Sequence, residues 1–235
     1  MSLSALREQV CQANLDLVAS GLVTLSFGNA SGVDRDAGVL VIKPSGVPYA
    51  QLTPGDMVVV ALDDGRVVEG DLRPSSDTPT HRELYCRFET IGGVVHTHSS
   101  FASAWAQAQR EIPCLGTTHA DHFAGAVPVT RDLSPSEIDG DYEHETGVVI
   151  VETIRGLGVD PLHVPAALVA SHGPFTWGAD PSGAVTNAIA LEAVAAMAHR
   201  TLALDPAVER IADPLQRRHF LRKHGPDAYY GQPER

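Results

Sequence analysis

The chain has 235 residues, of which 43 % are hydrophobic and 20 % are charged, and its net charge at pH 7 is −12. These values are typical of a folded globular protein and argue against disorder over most of the chain. The sequence has no basic patch of the kind that binds nucleic acid and no apolar run of about 18 residues that would cross a membrane. We therefore expect neither nucleic acid nor a membrane as a partner.

The three cysteines, Cys11, Cys86 and Cys114, are too few and too scattered to form a disulfide framework. Buried free thiols are the better interpretation. The first ten residues include charged side chains and lack the apolar stretch of a secretion signal. A cytoplasmic location is therefore the default expectation.

In the first half of the chain, apolar periodicity and turn residues predict a run of alternating helices and strands. In order, these are a helix over 4–20, strands over 39–43, 57–62 and 66–69, a helix over 78–88, a strand over 93–98 and a helix over 100–107. The strands over 57–62 and 66–69 flank Asp63-Asp64-Gly65, which is typical of a hairpin turn.

In the second half, strands are predicted over 148–153 and 166–171, with 175–177 pairing beside the latter. Asp180-Pro181 and Asp205-Pro206 both look like helix starts, and the first leads into a long alanine-rich helix to about residue 204. The last dozen residues, 224–235, are predicted to be irregular. Because the order lacks strict βαβ repetition, we expect a single α/β domain over 1–235, with helices covering a largely antiparallel sheet.

Three histidines and one aspartate make up a candidate metal site. His96 and His98 are two apart on a predicted strand, so both side chains point to the same face. His172 ends another apolar strand, and Asp77 precedes a helix that it could equally cap. Each residue alone has an ordinary structural interpretation. Together they form a donor set suited to one Zn²⁺ per subunit, with Mn²⁺ or Co²⁺ as substitutes. Four other histidines, His81, His144, His163 and His199, are expected on the surface or on helix faces.

Small polar loops near these residues are candidates for binding an anion. Small residues let backbone amides approach a ligand, and the start of a helix favours negative charge. For each loop alone an ordinary turn is the better interpretation, but three beside a metal site favour a phosphorylated, hydroxylated substrate. The loops contain Gly28 and Asn29, then Lys43, Ser45 and Gly46, then Ser75 and Ser76.

Taken together and in this order, the motifs resemble the class II aldolase/epimerase family, in particular its epimerase branch. The likeness covers nearly the whole chain. It is carried by Gly28-Asn29-x-Ser31, Lys43-Pro44-Ser45-Gly46, Ser75-Ser76-Asp77-Thr78-Pro79-Thr80-His81, His96-Thr97-His98, Gly116-Thr117-Thr118-His119-Ala120-Asp121, Ser171-His172-Gly173, Leu221-Arg222-Lys223-His224-Gly225 and Ala228-Tyr229-Tyr230-Gly231-Gln232.

The resemblance implies a homotetramer with active sites between adjacent subunits. It implies that Asp121 and Tyr230 are the acid/base pair, with Tyr230 supplied by the neighbouring subunit and with His219 and Arg222 as supporting groups. The zinc would be held by Asp77, His96, His98 and His172, and the substrate would be contacted by Gly28, Asn29, Ser45, Gly46, Ser75 and Ser76, with Lys43 nearby.

The activity implied by the resemblance is the interconversion of L-ribulose 5-phosphate and D-xylulose 5-phosphate. The C3–C4 bond would break, the glycolaldehyde phosphate would rotate, and the fragment would add back to a metal-bound enediolate. The nearest alternative is a class II aldolase of the L-fuculose-phosphate type that releases its fragments. That branch usually has a glutamate where this chain has Asp77. A non-catalytic zinc module is the alternative from another class. The sequence leaves open whether the pathway is arabinose or ascorbate breakdown.

Overall fold

Seven strands form one antiparallel sheet in the computed structural model, which describes residues 2–230. The strands are Gly28–Asp34 (β1), Val39–Ile42 (β2), Val58–Ala61 (β3), Val67–Glu69 (β4), Gly93–Thr97 (β5), Ala166–Leu168 (β6) and Pro174–Gly178 (β7). Their order across the sheet is β4-β3-β2-β1-β5-β7-β6. This confirms the prediction of a largely antiparallel sheet.

Eight α-helices lie in the described part of the chain, together with three short 3-10 turns. The helices are Leu3–Ala19 (α1), Thr78–Arg87 (α2), Ser100–Gln107 (α3), Thr117–Ala120 (α4), Pro135–Asp139 (α5), Tyr142–Gly156 (α6), Pro181–Leu204 (α7) and Asp213–His224 (α8). In residues 2–230 we see no helix long and apolar enough to cross a membrane.

Both faces of the sheet are covered by helices, as expected. On β2, Leu40 and Ile42 belong to the core shared with α2 and α6, whereas Val39 and Val41 pack with residues of α1 on the opposite face. This alternation follows from the two-residue period of a strand. Because both faces are buried, β2 and β3 are continuous apolar runs.

The strand predicted over 148–153 is wrong, because these residues lie inside α6. Their β-branched side chains favour a strand locally. Packing against α2 decides otherwise: Val149, Ile150 and Ile154 are buried on one side of the helix. The two helices touch closely at Gly147, where an added Cβ would lie 2.8 Å from the Cβ of Glu83.

Residues 27–32, predicted as a small polar loop, mostly belong to β1, which lies between β2 and β5. Small residues are needed here because helices press on the strand. A Cβ on Gly32 would lie 2.8 Å from both Leu6 Cδ1 and Pro181 Cγ. The absence of large apolar residues therefore reflects close packing, which local periodicity does not reveal.

The helix predicted to start at Asp205 is also wrong. The Asp205 carboxylate accepts a hydrogen bond from the Ala207 amide and closes a turn, and the next helix begins only at Asp213. The predicted irregular tail begins where α8 ends, at His224, and residues 225–230 form neither helix nor strand. The part of that prediction covering 231–235 lies outside the described residues.

Candidate metal centre and substrate cavity

The three candidate histidines meet at one end of β5. His96 lies on β5, opposite Asn29 of β1 and Phe175 of β7. His98 follows directly after the strand, and His172 lies in the turn between β6 and β7. One ring nitrogen of each histidine lies within 4.8 Å of those of the other two. The two-residue spacing at the end of β5 places His96 and His98 together, and the turn between β6 and β7 adds His172.

Contacts outside the group orient two of the three rings, those of His96 and His172. His96 Nδ1 donates to the carbonyl of Pro174 at 3.0 Å, so its Nε2 carries the lone pair. That Nε2 lies 3.0 Å from Nε2 of His98. His172 Nδ1 lies 3.3 Å from the hydroxyl of Tyr142. Outer contacts of this kind orient metal-binding imidazoles in proteins.

Burial favours the neutral form of the His96 and His172 rings. It lowers the pKa of His96 to about 4, although Asp77 partly opposes the shift. It also lowers the pKa of His172. For Asp77, burial acts to raise the pKa of the carboxyl, but the imidazoles of His96 and His81 outweigh this effect and the pKa lies below its usual value. Neutral imidazoles beside an ionised carboxylate are the protonation states that a divalent cation needs.

Asp77 lies beside the three histidines in the same cavity but does not cap α2, since its side chain makes no capping hydrogen bond. Its Oδ2 instead accepts from the amide of Asn29 at 2.5 Å. Among the described residues, the possible ligand atoms that lie within 4.8 Å of one another belong to the three histidines and do not include those of Asp77. The donor set of imidazoles and one nearby carboxylate fits Zn²⁺, with Mn²⁺ or Co²⁺ as chemically reasonable substitutes.

A cavity of about 260 Å³ opens next to the histidines. Three of its lining residues were not among the predicted site residues: Phe27 and Pro44, which lie inside predicted loops, and Ser26, which directly precedes one. The lining also includes every residue predicted to bind substrate or metal: Gly28, Asn29, Lys43, Ser45, Gly46, Ser75, Ser76, Asp77, His96, His98 and His172.

Two of the anion loops are joined side by side. The amide of Ser75 donates to the carbonyl of Lys43 at 3.0 Å, and the amide of Ser45 donates to the carbonyl of Arg73 at 2.9 Å. These bonds connect the loop after β2 to the loop before α2. Small polar residues far apart in sequence therefore line one wall of the cavity.

Lys43 supplies a buried cation at this wall, with only 3 % of its surface exposed. Its ammonium donates to the carbonyls of Pro44 and Val47 and lies 4.7 Å from the centre of the Tyr49 ring. Burial lowers the pKa of Lys43. Two of its three N–H donors are used in these bonds, so a third is available to an anion in the cavity.

Gly28 and Asn29 link the metal end of the cavity to the anion loops. Gly28 has φ +147°, and a Cβ there would lie 2.9 Å from the carbonyl oxygen of His96, so only glycine permits this close approach. Asn29 donates to the Ser75 hydroxyl at 3.0 Å as well as to Asp77. Its own Oδ1 is buried without a partner among the described residues.

Asp121 and Tyr230 lie in a second cluster, at α8, and neither lines the cavity of the same chain. Arg222 binds both carboxylate oxygens of Asp121, at 2.9 and 2.6 Å, and its guanidinium lies 4.7 Å from the centre of the Tyr230 ring. His219 Nδ1 lies 3.0 Å from Asp121 Oδ1. His224 donates to the Asp121 carbonyl at 2.9 Å. The structure thus brings together the predicted acid/base pair and both predicted supporting groups.

The charge state of this cluster follows from these contacts. Burial acts to raise the pKa of Asp121, but the hydrogen bonds from Arg222 and His219 outweigh it, and the pKa is lowered. Tyr230 is 60 % exposed. An ionised and largely buried carboxylate therefore lies in the same cluster as a solvent-facing phenol.

Comparison with known proteins gives a consistent result. Residues 8–199 match the model of the family described as the class II aldolase and adducin N-terminal domain. The L-ribulose-5-phosphate 4-epimerase UlaF of Salmonella paratyphi C is 56 % identical over 227 residues, covering 97 % of this chain and 98 % of that protein.

Solved structures share the fold. An L-fuculose 1-phosphate aldolase superposes with a TM-score of 0.77 at 20 % identity, covering 93 % of this chain and 96 % of its own. YgbL of Klebsiella pneumoniae superposes with a TM-score of 0.72 at 27 % identity, covering 93 % of this chain and 99 % of its own. The first likeness is one of fold alone.

Proposed function

The chain belongs to the class II aldolase and adducin N-terminal domain family, and from this premise we propose that it is a metal-dependent enzyme that interconverts L-ribulose 5-phosphate and D-xylulose 5-phosphate. The observation that carries the proposal is one cavity that joins three convergent imidazoles to a wall of small polar residues with a buried lysine. The 56 % identity to a protein named as this epimerase supports the choice of substrate. The expected cytoplasmic location stays a prediction.

The chemistry explains why a metal site and an anion site are needed in one cavity. The hydrogen on C4 is beta to the C2 carbonyl, so removing it would give a carbanion without resonance. Breaking the C3–C4 bond instead leaves the negative charge on C3, next to the carbonyl, as an enediolate. A zinc ion bound by His96, His98, His172 and Asp77 would stabilise this charge as a Lewis acid, an effect worth several kcal/mol.

The protein's own residues would then hold the two halves of the substrate. The phosphate of the glycolaldehyde phosphate fragment would be bound by Lys43 while the aldehyde turns over. The backbone amides of Gly46 and Ser76 and the hydroxyls of Ser45, Ser75 and Ser76 would supply the other donors. Asn29 donates to both Ser75 and Asp77. It would therefore keep the anion wall and the metal end at a constant separation during the rotation.

Proton transfer needs one group on each face of the turning aldehyde. One group takes the C4 hydroxyl proton during cleavage, and the other protonates the new alkoxide after re-addition. We propose Asp121 and Tyr230 for these two tasks. Since Arg222 contacts both and neither lines the cavity of its own chain, the pair would enter a neighbouring subunit's cavity as one unit. This arrangement requires adjacent subunits, which the proposed homotetramer would supply.

Mixing two inactive variants tests the shared site. His96→Asn subunits lack the metal end and Tyr230→Phe subunits lack the phenol. A mixed assembly contains some sites with an intact cavity from one subunit and an intact Tyr230 from the other, so activity should reappear. If the mixture is no more active than the sum of its parts, the pair acts within its own chain.

The alternative activity is that of an aldolase that releases its fragments. The structural likeness to an L-fuculose 1-phosphate aldolase is the observation in its favour, and it concerns the fold. Against it, this chain has Asp77 where the aldolases usually have a glutamate. The side chain of Asp77 is one carbon shorter than that of glutamate, and it accepts a hydrogen bond from Asn29.

Incubating the zinc-loaded protein with L-ribulose 5-phosphate in D₂O, followed by NMR, distinguishes the two. The proposal predicts D-xylulose 5-phosphate without deuterium at C4, because the C4–H bond is never broken. Accumulation of free glycolaldehyde phosphate would instead identify an aldolase. Deuterium at C4 would show direct deprotonation, and an unchanged substrate would exclude this substrate for the site.

A further inference from the structure

Phe27 lines the cavity, although no role was assigned to its side chain within the predicted loop over 27–32. Among the cavity-lining side chains of the described residues, only Phe27 and Pro44 are apolar apart from the glycines. The Phe27 ring centroid lies 6.1 Å from that of His98. Phe27 is 48 % exposed, whereas His96 is 2 % exposed. The ring therefore lies at the opening of the cavity, beside the exposed His98.

Hydrogen bonds fix the backbone on both sides of Phe27. The Phe27 amide donates to the carbonyl of Thr24 at 3.1 Å and closes a turn. On the other side, the Tyr49 hydroxyl donates to the carbonyl of Gly28 at 2.5 Å. Leu25 is in the same turn, with φ +56° and 81 % exposure, and it does not line the cavity. Of the two apolar side chains of this turn, Leu25 and Phe27, Phe27 is therefore the one that lines the cavity.

We propose that Phe27 is a specificity-determining residue that keeps the cleaved substrate inside the cavity. This rests on the proposed epimerase function. After C3–C4 cleavage, the aldehyde must turn without being tied by hydrogen bonds, and the phenyl ring offers none. The ring also keeps water from the enediolate, since an apolar wall at the opening excludes solvent from the site.

The leak that this wall prevents has a definite chemistry. If water donates a proton to C3 of the enediolate, the three-carbon half becomes dihydroxyacetone and the hydroxide formed takes up the proton that came from the C4 hydroxyl. The glycolaldehyde phosphate then leaves as a free aldehyde. One L-ribulose 5-phosphate gives one molecule of each product, with no oxidant, reductant or net water consumed.

The test compares Phe27→Ala with Leu25→Ala, which removes an exposed apolar side chain from the same turn, and with Phe27→Trp, which keeps an aromatic wall. NMR gives the ratio of dihydroxyacetone formed to substrate epimerised, and metal analysis gives the zinc content. We expect the ratio to rise about tenfold or more in Phe27→Ala, the scale of losing an apolar contact in a binding site. Leu25→Ala and Phe27→Trp should keep the wild-type ratio and all variants should keep their zinc.

Three results would overturn the proposal. The ratio of dihydroxyacetone to epimerised substrate could stay at the wild-type value in Phe27→Ala, which would show that the ring has no such role. The ratio could rise equally in Leu25→Ala, which would assign the effect to the turn as a whole. Zinc could be lost from Phe27→Ala, which would make the ring a structural support for His98. Failure of the proposed function would look different, because the wild-type protein itself would then form no D-xylulose 5-phosphate.

Discussion

His81 offers a quantitative test of the buried network behind the candidate metal site. Although expected on a helix face, it is fully buried, with its Nδ1 2.7 Å from the Ser31 hydroxyl, which in turn lies 2.8 Å from the Tyr85 hydroxyl. Its Nε2 is buried without a partner among the described residues. Burial lowers the pKa of His81 from 6.5 to about 3, with Asp77 partly opposing the shift. The imidazole is therefore neutral in the folded protein at any ordinary pH.

The sign and size of the effect on stability follow from linkage. In the unfolded chain the ring binds a proton below its ordinary pKa of 6.5, whereas in the folded state it does so only below about 3. Stability from this group is therefore fully present above pH 6.5 and is lost as the pH falls toward 3. Between pH 8 and pH 5 the loss is about 2 kcal/mol, since each pH unit below the unfolded-state pKa contributes about 1.4 kcal/mol.

Urea unfolding of wild type and His81→Gln at pH 8 and pH 5 measures this difference. Both proteins are kept metal-free with a chelator and at one protein concentration, because metal and subunit binding also shift stability. His199→Gln, which removes an exposed imidazole, is the matched control. We expect His81→Gln to lose about 2 kcal/mol less than wild type between the two pH values. An equal loss in both proteins would refute the buried, neutral assignment of His81.

Three further predictions concern the site itself. His96→Asn should lose bound zinc and activity together, as measured by metal analysis and turnover; a zinc-replete, active variant would remove His96 from the ligand set. Asp121→Asn and Tyr230→Phe should each lower turnover roughly 10²- to 10⁴-fold at unchanged zinc content, the usual range for a lost general acid or base. Full turnover in either variant would exclude that residue. Gly28→Ala should destabilise the protein by about 1–3 kcal/mol in urea unfolding, because the new Cβ meets the His96 carbonyl in a conformation that side chains rarely adopt. An unchanged midpoint would contradict this packing argument.

Local patterns in the sequence predict the metal end of the cavity well. The spacing of His96 and His98 on an apolar strand is enough to place both on one face, and His172 ends a second apolar run. The strands around them are buried on both faces, so their apolar runs are easily recognised. Here local chemistry and tertiary structure agree.

Where local and tertiary preferences conflict, the sequence alone is insufficient. The β-branched residues of α6 favour a strand until α2 packs against them, and the small residues of β1 resemble a loop until helices press on Gly32. Contacts between distant segments are equally hidden: Arg222 joins Asp121 across 101 positions of the chain. The burial of His81 could be recognised only once β1 and α2 were seen side by side.

The central claim is that this cavity catalyses inversion at C4 of a phosphoketopentose with the help of a bound divalent metal. The most direct test starts two reactions, one from L-ribulose 5-phosphate and one from D-xylulose 5-phosphate, with chelator-treated protein before and after zinc is restored. We expect the zinc-loaded protein to bring both reactions to the same mixture of epimers, and the metal-free protein to change neither sugar. A fully zinc-loaded protein that leaves both sugars unchanged would contradict it.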